Sequence, residues 1–359
     1  MTNFENSTQF RFDSTLPDLG TQVANSDHRE IELKQAVEVF EALPMKYQLA
    51  SLHPRMVELD ATRDDNLKAV HWMYRIGGNI ELRCFHLGLN PGIQALDIQS
   101  AYGYGGPISN CDAPEFLAAA DVAFSQWAFN HSIVVEFLRF HPLVPHANWY
   151  MGEILENRET VHMDLERDFF AQYQSRRKTY IRRFMRSGLE VARVESNAIA
   201  TIFPEIYWRN MEHVGAEQAY YFPREYFSAL AMFDKAECWA VKSGDQYIAS
   251  AVILVSEDAR VVEYHLGARE PSSEHDKAMM GLLHCVAEHY QSRDFQYFYL
   301  GGGRSAAPND SLFFFKAGFS PLRGVFRLGD RVYDNLEYMA LREKFPLKAA
   351  TGRILFYKE

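Results

Sequence analysis

Long apolar runs are missing from this 359-residue chain, and no stretch approaches the 18 apolar residues of a membrane helix. The first 27 residues also lack the basic segment and apolar centre of a signal peptide. We therefore expect a cytoplasmic protein without membrane insertion. Residues 1–27 are rich in Asn, Ser, Thr and Asp and are predicted to form a polar, partly disordered tail.

Cysteine is scarce, and none of the four residues belongs to a C-x-x-C pair. Their spacing suits neither a zinc site nor a disulfide framework. The H-E-x-x-H, P-loop and G-x-S-x-G motifs are missing as well. These absences argue against common metalloprotease, nucleotide hydrolase and serine hydrolase chemistry. We expect no metal site and no tightly bound cofactor.

Positive charge is in deficit, with 37 Lys and Arg against 47 Asp and Glu, so the formal net charge is −10. Such a chain is a poor general binder of nucleic acid. One cluster differs, with six cations within eleven residues: Arg176, Arg177, Lys178, Arg182, Arg183 and Arg186. It predicts phosphate contacts, of tRNA or of a nucleotide-linked acceptor. The alternatives are a solvated helix face balanced by Glu166 and Asp168, or a face for protein association.

Apolar residues make up 47% of the chain and aromatic residues 14%, enough for a dense core. One pattern of elements occurs twice. The first copy predicts strands over 68–75 and 79–89, a helix over 114–130 and a strand over 133–140. The second predicts strands over 239–242, 247–255 and 261–267, a helix over 275–291 and a strand over 295–300.

The two copies lie roughly 160 residues apart, far beyond the period of a solenoid repeat. In each copy the helix allows the last strand to lie parallel to its predecessor. Between the copies, residues 164–188 are predicted to be helical and to end at Gly188. We therefore predict an N-terminal domain over 28–157 and a C-terminal domain over 158–359.

Four stretches carry a family resemblance: residues 97–107 (DIQSAYGYGGP), 137–143 (FLRFHPL), 175–183 (SRRKTYIRR) with 188–191, and 299–303 (YLGGG) with 310–312 and 315–319 (FKAGF). In this order they resemble the Fem-type aminoacyltransferases and the wider FemAB-like branch of the GNAT superfamily. The resemblance implies an α/β (α+β) fold of two tandem GNAT-like domains, each a mixed, mostly antiparallel sheet flanked by helices. It also implies acyl transfer to an amine. Fem-type members take an aminoacyl group from charged tRNA and extend a peptidoglycan peptide.

The identity of the acyl donor can be inferred from one loop. Ordinary GNAT enzymes bind the pyrophosphate of acyl-CoA through a loop with the pattern Q/R-x-x-G-x-G/A. In the second half the equivalent segment, 268–278, contains no glycine and carries three acids. In the first half, residues 102–107 are rich in glycine but include Pro107, which lacks an N–H. This favours aminoacyl-tRNA as donor and a small-molecule or peptide amine as acceptor. The alternatives are an acyl-CoA-dependent N-acyltransferase and a degenerate fold that only binds a ligand or partner.

Lys316 is the main catalytic candidate, since the resemblance maps Phe315 and Lys316 onto the Phe-Lys pair that lines the acyl-transfer channel of Fem-type enzymes. A lysine among aromatic residues can stabilise a developing oxyanion. The alternative is an exposed lysine favoured by the helix dipole. Gly302 and Gly303 are expected to let a substrate backbone approach closely. No residue is identified as a general base.

Acceptor-binding residues are predicted where strand 133–140 ends, because α/β folds place ligands at the carboxyl ends of parallel strands. Arg139 and His141 stand there, and the resemblance also implies acceptor-binding groups in this region. The remaining substrate-binding candidates are Tyr102, Tyr104 and Tyr221, together with Arg176, Arg177 and Arg182 of the basic cluster. The alternatives are a structural histidine at 141 and tyrosines that merely pack. The sequence does not reveal the oligomeric state.

Overall fold

The computed structural model describes residues 23, 26–93, 95–271, 277–307 and 309–358. The predicted tail lies almost wholly outside these residues, as do the start of the predicted helix 275–291 and the middle of segment 268–278. Within the described residues thirteen strands form one sheet, in the order β1-β2-β3-β4-β6-β13-β7-β12-β11-β10-β9-β8, with β5 paired to β3.

The first half of the chain supplies one end of this sheet. Its strands are β1 Asp27–Glu30, β2 Leu67–Ile76, β3 Asn79–Asn90, β4 Ala95–Gln99, β5 Ile108–Ser109 and β6 Ile133–Phe140. Its helices are α1 Leu33–Ala42, α2 Pro54–Ala61 and α3 Pro114–Asn130. The bounds of α3 and β6 match the predicted ones, because proline and an apolar run at helical or strand spacing define them locally.

The second half supplies the other end and the C-terminal elements. Its strands are β7 Glu153–Asp164, β8 Glu190–Val194, β9 Ala236–Ser243, β10 Gln246–Ser256, β11 Val261–Arg269, β12 Tyr297–Gly302 and β13 Arg323–Val332. Its helices are α4 Phe169–Gln172, α5 Ser175–Phe184, α6 Ala198–Thr201, α7 Phe203–His213, α8 Arg224–Ala231, α9 Ala278–Gln291, α10 Ser311–Ala317, α11 Asn335–Lys344 and α12 Pro346–Ala349.

The repeated pattern is confirmed. In the first half β2, β3 and β4 form an antiparallel meander, α3 crosses over, and β6 pairs parallel to β4. In the second half β9, β10 and β11 do the same, and after α9 the strand β12 pairs parallel to β11. The predicted fold class, α/β with mixed and mostly antiparallel sheets flanked by helices, is therefore also confirmed.

Two of the strands that were not predicted, β7 and β13, join the halves. β13, from the C-terminal end of the chain, lies between β6 and β7 and pairs antiparallel with both. On its other edge β7 pairs with β12. The two meanders therefore share one continuous sheet, and residue 158, where the domain boundary was predicted, lies within β7. The four consecutive polar residues over 156–159 concealed this strand.

The prediction of a single helical stretch over 164–188 is wrong. Asp164 ends β7, and the rest forms the two helices α4 and α5. Between them Tyr173 and Gln174 adopt extended conformations with ψ of 145°. The amide of Gln174 donates to the carbonyl of Gly318 at 3.1 Å, a long-range bond that replaces a helical one.

The halves also share a hydrophobic core on one face of the sheet. Met56 and Leu59 of α2 pack there with apolar residues of α7 and α8, among them Phe203 and Phe227. The amide of Ala50 donates to the hydroxyl of Ser256 across the two halves at 2.7 Å. Because this core is common to both, the halves bury part of each other's apolar surface, and each half also packs around a core of its own.

Candidate active site

A gap opens between the two parallel strands of the second half. β11 and β12 pair only from Val261↔Tyr297 to Glu263↔Tyr299, although β11 continues to Arg269. Beyond the last pair the strands separate. The N–H and C=O groups on the facing edges of the two strands can therefore hydrogen-bond a ligand at the carboxyl end of the sheet.

Lys316 lies in this gap. Its Nζ donates to the carbonyl of Gly302 at 2.8 Å and stands 5.7 Å from the centre of the Tyr264 ring. The side chain is buried, and burial lowers the pKa of Lys316 to about 7. The prediction that this lysine sits among aromatic groups rather than in solvent is supported. At neutral pH it exists in both protonation states, so it can donate a hydrogen bond or a proton at little cost.

The first half of the chain reaches this gap through Tyr104. Its hydroxyl shares a hydrogen bond of 2.7 Å with the hydroxyl of Tyr299 on β12. The Tyr104 hydroxyl also reaches Gly301, which has a positive φ of 78°. A Cβ added to Gly301 would lie 3.2 Å from Nζ of Lys316 and 3.8 Å from the Tyr104 hydroxyl. Gly301 is thus the point where groups from the two halves come together.

His141 is buried behind Tyr104 and connects to the second half. Its ring lies 4.4 Å from the Tyr104 ring and 4.5 Å from the Tyr299 ring. The amide of Leu143 donates to its Nδ1 at 3.2 Å, so Nε2 carries the ring hydrogen and faces Oε1 of Glu263 at 3.1 Å. Neither nitrogen is left to accept a proton from a substrate. His141 therefore positions the two tyrosines and is not a base.

Glu263 stays ionised in this buried position. Burial favours its neutral form, but His141 and the amide of Ser51 outweigh that effect and hold the pKa of Glu263 below its ordinary value. Its Oε2 accepts the Ser51 amide at 3.2 Å. The carboxylate thus ties the first half to β11 directly beside the gap.

Arg139 and Tyr102 lie on the same side of the sheet as His141, in a cleft between the halves. The Arg139 side chain is partly exposed, and Nη1 reaches the carbonyl of Ser100 at 3.4 Å. The ring of Tyr102 packs edge-on against Phe222 at 4.8 Å. Tyr221 is half-buried next to Phe222 in the chain, and it is the Phe222 ring that contacts the other rings of this cleft. The predicted acceptor residues are thus brought together, apart from Tyr221.

The basic cluster divides into one buried and several exposed cations. Arg177 is buried, donates to the carbonyl of Phe315, and lies 4.9 Å from the Phe315 ring and 4.3 Å from the Phe319 ring. Burial lowers the pKa of Arg177 to about 10. Phe315 therefore packs away from Lys316, against α5, although the two are adjacent in sequence. This arrangement fixes α10, and with it Lys316, onto α5.

The remaining arginines of the cluster form an exposed basic face: Arg176, Arg182, Arg183 and Arg186. Within the described ranges no carboxylate lies within 4.0 Å of them, because Glu166 pairs with Arg260 and Asp168 caps the first turn of α4. A concavity of about 400 Å³ beside Arg182 and Arg186 is also lined by Glu288. Glu166 and Asp168 therefore do not balance the charge of these arginines, which argues against the alternative of a helix face neutralised by those two acids.

Gly302 and Gly303 allow close packing by protein atoms. A Cβ on Gly303 would lie 2.4 Å from a carboxylate oxygen of Asp310, which caps α10 by accepting the Phe313 amide at 2.8 Å. The carbonyl of Gly303 accepts a bond from Arg158 at 3.0 Å. These glycines thus hold the start of α10 against the end of β12, which aims Lys316 into the gap.

In the part of the chain that the structure describes, no group of three or more His, Cys, Asp or Glu side chains is placed to hold a metal ion. None of the helices described there is long and apolar enough to cross a bilayer. The donor loop of ordinary GNAT enzymes corresponds to a segment whose central residues, 272–276, lie outside the described ranges.

Comparison with known proteins identifies the second half. Residues 174–308 match the acetyltransferase (GNAT) domain family. This segment contains the meander, the crossover helix α9 and the gap between β11 and β12. Residues 174–308 thus form a GNAT-type domain. None of the curated proteins compared with the chain matches it in sequence.

Solved structures extend the likeness to the whole chain. FemX superposes with a TM-score of 0.64 at 11% identity, covering 89% of this chain and 99% of its own. The C-terminal domain of a lysylphosphatidylglycerol synthetase from Agrobacterium fabrum gives 0.57 at 16% identity, covering 88% and 98%. L-PGS from Bacillus licheniformis gives 0.52 at 13%, covering 81% and 91%. The chain thus contains a GNAT-type domain over 174–308, and its fold as a whole is shared with FemX.

Several residues of the site were not anticipated. Glu263 and Tyr299 carried a faint signal, as polar groups within otherwise apolar strands. Asp60 and Arg63 carried none, since their neighbours in the cleft are distant in sequence.

Proposed function

We propose that the protein transfers an aminoacyl group from aminoacyl-tRNA to the amine of a small-molecule or peptide acceptor, forming an amide bond. The observation that carries this proposal is the placement of Lys316 in the gap between β11 and β12, bonded to Gly302 and beside Gly301. The donor ester enters the gap from the side of α9 and α10, and the acceptor amine enters from the cleft that contains Tyr102 and Arg139.

The amine attacks the ester carbonyl, and the ammonium form of Lys316 stabilises the oxyanion that develops. An aminoacyl ester is already activated, so positioning at Gly301 supplies much of the rate enhancement. The Tyr104–Tyr299 pair and His141 hold the two halves in register around this point. When the tetrahedral intermediate collapses, the bond to the ribose oxygen breaks, and that oxygen takes up the proton that the attacking amine loses, relayed by solvent or by Lys316.

The exposed basic face supports tRNA as the donor. Arg176, Arg182, Arg183 and Arg186 project from the helix that packs against α10, and nearby acids do not neutralise them. Arginines in this arrangement suit a phosphate backbone. The likeness to FemX and to the C-terminal domain of a lysylphosphatidylglycerol synthetase supports aminoacyl transfer over acetyl transfer, since the second name denotes the attachment of a lysyl group.

A donor test decides the proposal. Total tRNA charged with radiolabelled amino acids is offered to the purified protein in parallel with acetyl-CoA and longer acyl-CoAs, with cell extract as acceptor. We expect label to move from tRNA to a product, with ribonuclease or Lys316→Met abolishing the transfer. Turnover with CoA esters alone would move the protein to the acyl-CoA-dependent N-acyltransferases. Product formation that Lys316→Met leaves unchanged would remove Lys316 from the mechanism.

A further inference from the structure

A second group of charged and aromatic side chains lies in the cleft between the halves, beside the loop after β4. Arg63 forms two bonds with Asp60, from Nε at 2.6 Å and from Nη2 at 2.8 Å. Asp60 is fully buried and also accepts the amide of Tyr102 at 2.7 Å. These bonds fix the Arg63 guanidinium beside the paired rings of Tyr102 and Phe222, 5.6 and 5.5 Å from their centres.

Part of this guanidinium remains available. Nη1 of Arg63 has no hydrogen-bond partner among the described residues, and 20% of the side chain is exposed. Arg139 lies on the other side of the same loop. Its one long side-chain bond goes to the carbonyl of Ser100, two residues before Tyr102, and no described carboxylate comes within 4.0 Å. Both arginines thus face the cleft, and Asp60 is the one described carboxylate within 4.0 Å of either.

We propose that Arg63 and Arg139 form a subsite for a single carboxylate of the acceptor, with Tyr102 and Phe222 as its walls. The inference rests on the proposed function and names its acceptor class: an amine that also bears a carboxylate, such as an amino acid or the C-terminal part of a short peptide. Guanidinium groups match carboxylates in shape and charge, and the planar rings restrict the direction of approach.

The charge balance selects a monoanion. Arg63 and Arg139 contribute two positive charges and Asp60 one negative charge, which leaves one positive charge to neutralise. The two histidines nearby add nothing at neutral pH, because burial lowers the pKa of His265 to about 4 and also lowers that of His86. A phosphate dianion would leave an excess negative charge in a partly buried cleft, which is costly.

The subsite also has the right distance from the reacting groups. Tyr104, which touches the Gly301 region, follows Tyr102 by two residues, so the two Cα atoms lie at most about 7 Å apart. An acceptor held by its carboxylate beside Tyr102 therefore places an amine near Lys316 when the two groups are separated by about the length of a dipeptide.

The test measures binding without any donor, so that its result is separate from donor identity. L-alanyl-L-alanine, its C-terminal amide and inorganic phosphate are titrated against the full chain by ligand-observed NMR. We expect the free acid to bind at least about tenfold more tightly than the amide, the fold-change of losing one charge-assisted hydrogen bond. Arg63→Gln and Arg139→Gln should each weaken binding of the acid at least about tenfold. Arg139→Lys should have an intermediate effect.

Arg293→Gln is the matched control, because Arg293 is a surface arginine that pairs with Glu257 at the opposite end of β11. It should bind the dipeptide like the wild type. The comparison of acid with amide uses only wild-type protein, so it stands even if a variant fails to fold. Equal affinity for acid and amide, unchanged affinity in both glutamine variants, or tighter binding of phosphate than of the dipeptide would each overturn the proposal. If the protein binds the dipeptide but does not turn over charged tRNA, the proposed donor is refuted and the carboxylate subsite is not.

Discussion

The hydroxyl groups of Tyr104 and Tyr299 lie 2.7 Å apart and join the two halves of the molecule at the mouth of the gap between β11 and β12. Burial raises the pKa of Tyr104 well above its ordinary value, so both phenols stay protonated and the pair persists at physiological pH. We expect Tyr104→Phe and Tyr299→Phe each to lower the free energy of unfolding by about 1 kcal/mol.

In a double-mutant cycle the two changes should not add. Once one hydroxyl is gone the other has lost its partner, so the double variant should cost about as much as either single one, with a coupling of about 0.5–1.5 kcal/mol. Urea unfolding at constant pH measures all four proteins. Strict additivity would mean that the hydrogen bond does not form in solution.

Replacement of Lys316 by methionine should reduce kcat by about 10²–10³-fold, the usual cost of removing one group that stabilises an oxyanion. Methionine keeps the length and apolar character of the side chain beside Tyr264, so the fold should survive. Single-turnover transfer at saturating donor checks this. A fall in affinity for the donor with kcat unchanged would instead assign Lys316 to binding.

The same variant tests the low pKa of Lys316. In the folded protein this group loses its proton near pH 7, whereas in the unfolded chain it does so near 10.5. Between these values the unfolded state binds more protons, so the wild type should gain stability as the pH rises from about 7 to 10.5. Relative to Lys316→Met the gain is at most about 4–5 kcal/mol. Denaturant unfolding of both proteins across this range measures it, and a constant difference would mean an ordinary pKa.

Gly301→Ala should reduce activity more than it reduces stability. Its Cβ would crowd Nζ of Lys316 and the Tyr104 hydroxyl, and the positive φ adds a strain of about 1–2 kcal/mol. Gly215→Ala is the control, since Gly215 also has a positive φ, of 60°, but has no atom within 4 Å of an added Cβ. We expect similar thermal destabilisation in both and lost transfer only in Gly301→Ala. Equal loss of activity would indicate a general effect of strain.

Exposed and buried arginines of the basic cluster should differ in their effect on tRNA binding. Each of Arg176→Gln and Arg182→Gln should reduce the slope of log K against log salt concentration by about 0.7–0.9, the value for one lost phosphate contact. Arg177→Gln should leave the slope unchanged, because that guanidinium is buried against Phe315 and Phe319. Filter binding at several salt concentrations gives the slopes. An equal change of slope in all three variants would contradict the distinction between exposed and buried arginines.

Features that depend on short segments were predictable. The helix at 114–130 and the strand at 133–140 follow from a proline start, apolar spacing and a proline stop, all readable within a few residues. The parallel pairing of β11 with β12 follows from the crossover rule, whereas β4, the parallel partner of β6, was not predicted. The prediction of one helix over 164–188 was wrong because the helix breaks at Tyr173 and Gln174. The break is caused by a hydrogen bond from Gln174 to Gly318, more than 140 residues away.

The sequence by itself thus determined the repeated α/β units, the basic cluster and the identity of Lys316 as a candidate, because each depends on local periodicity or on a motif. Only the tertiary structure decided that β13 lies between β6 and β7, that Arg177 is buried while Arg182 is exposed, and that Arg63 and Arg139 share a cleft. The pKa of Lys316 belongs to the same group. It depends on how many groups exclude water from Nζ, and those groups come from strands and loops that meet only when the chain has folded.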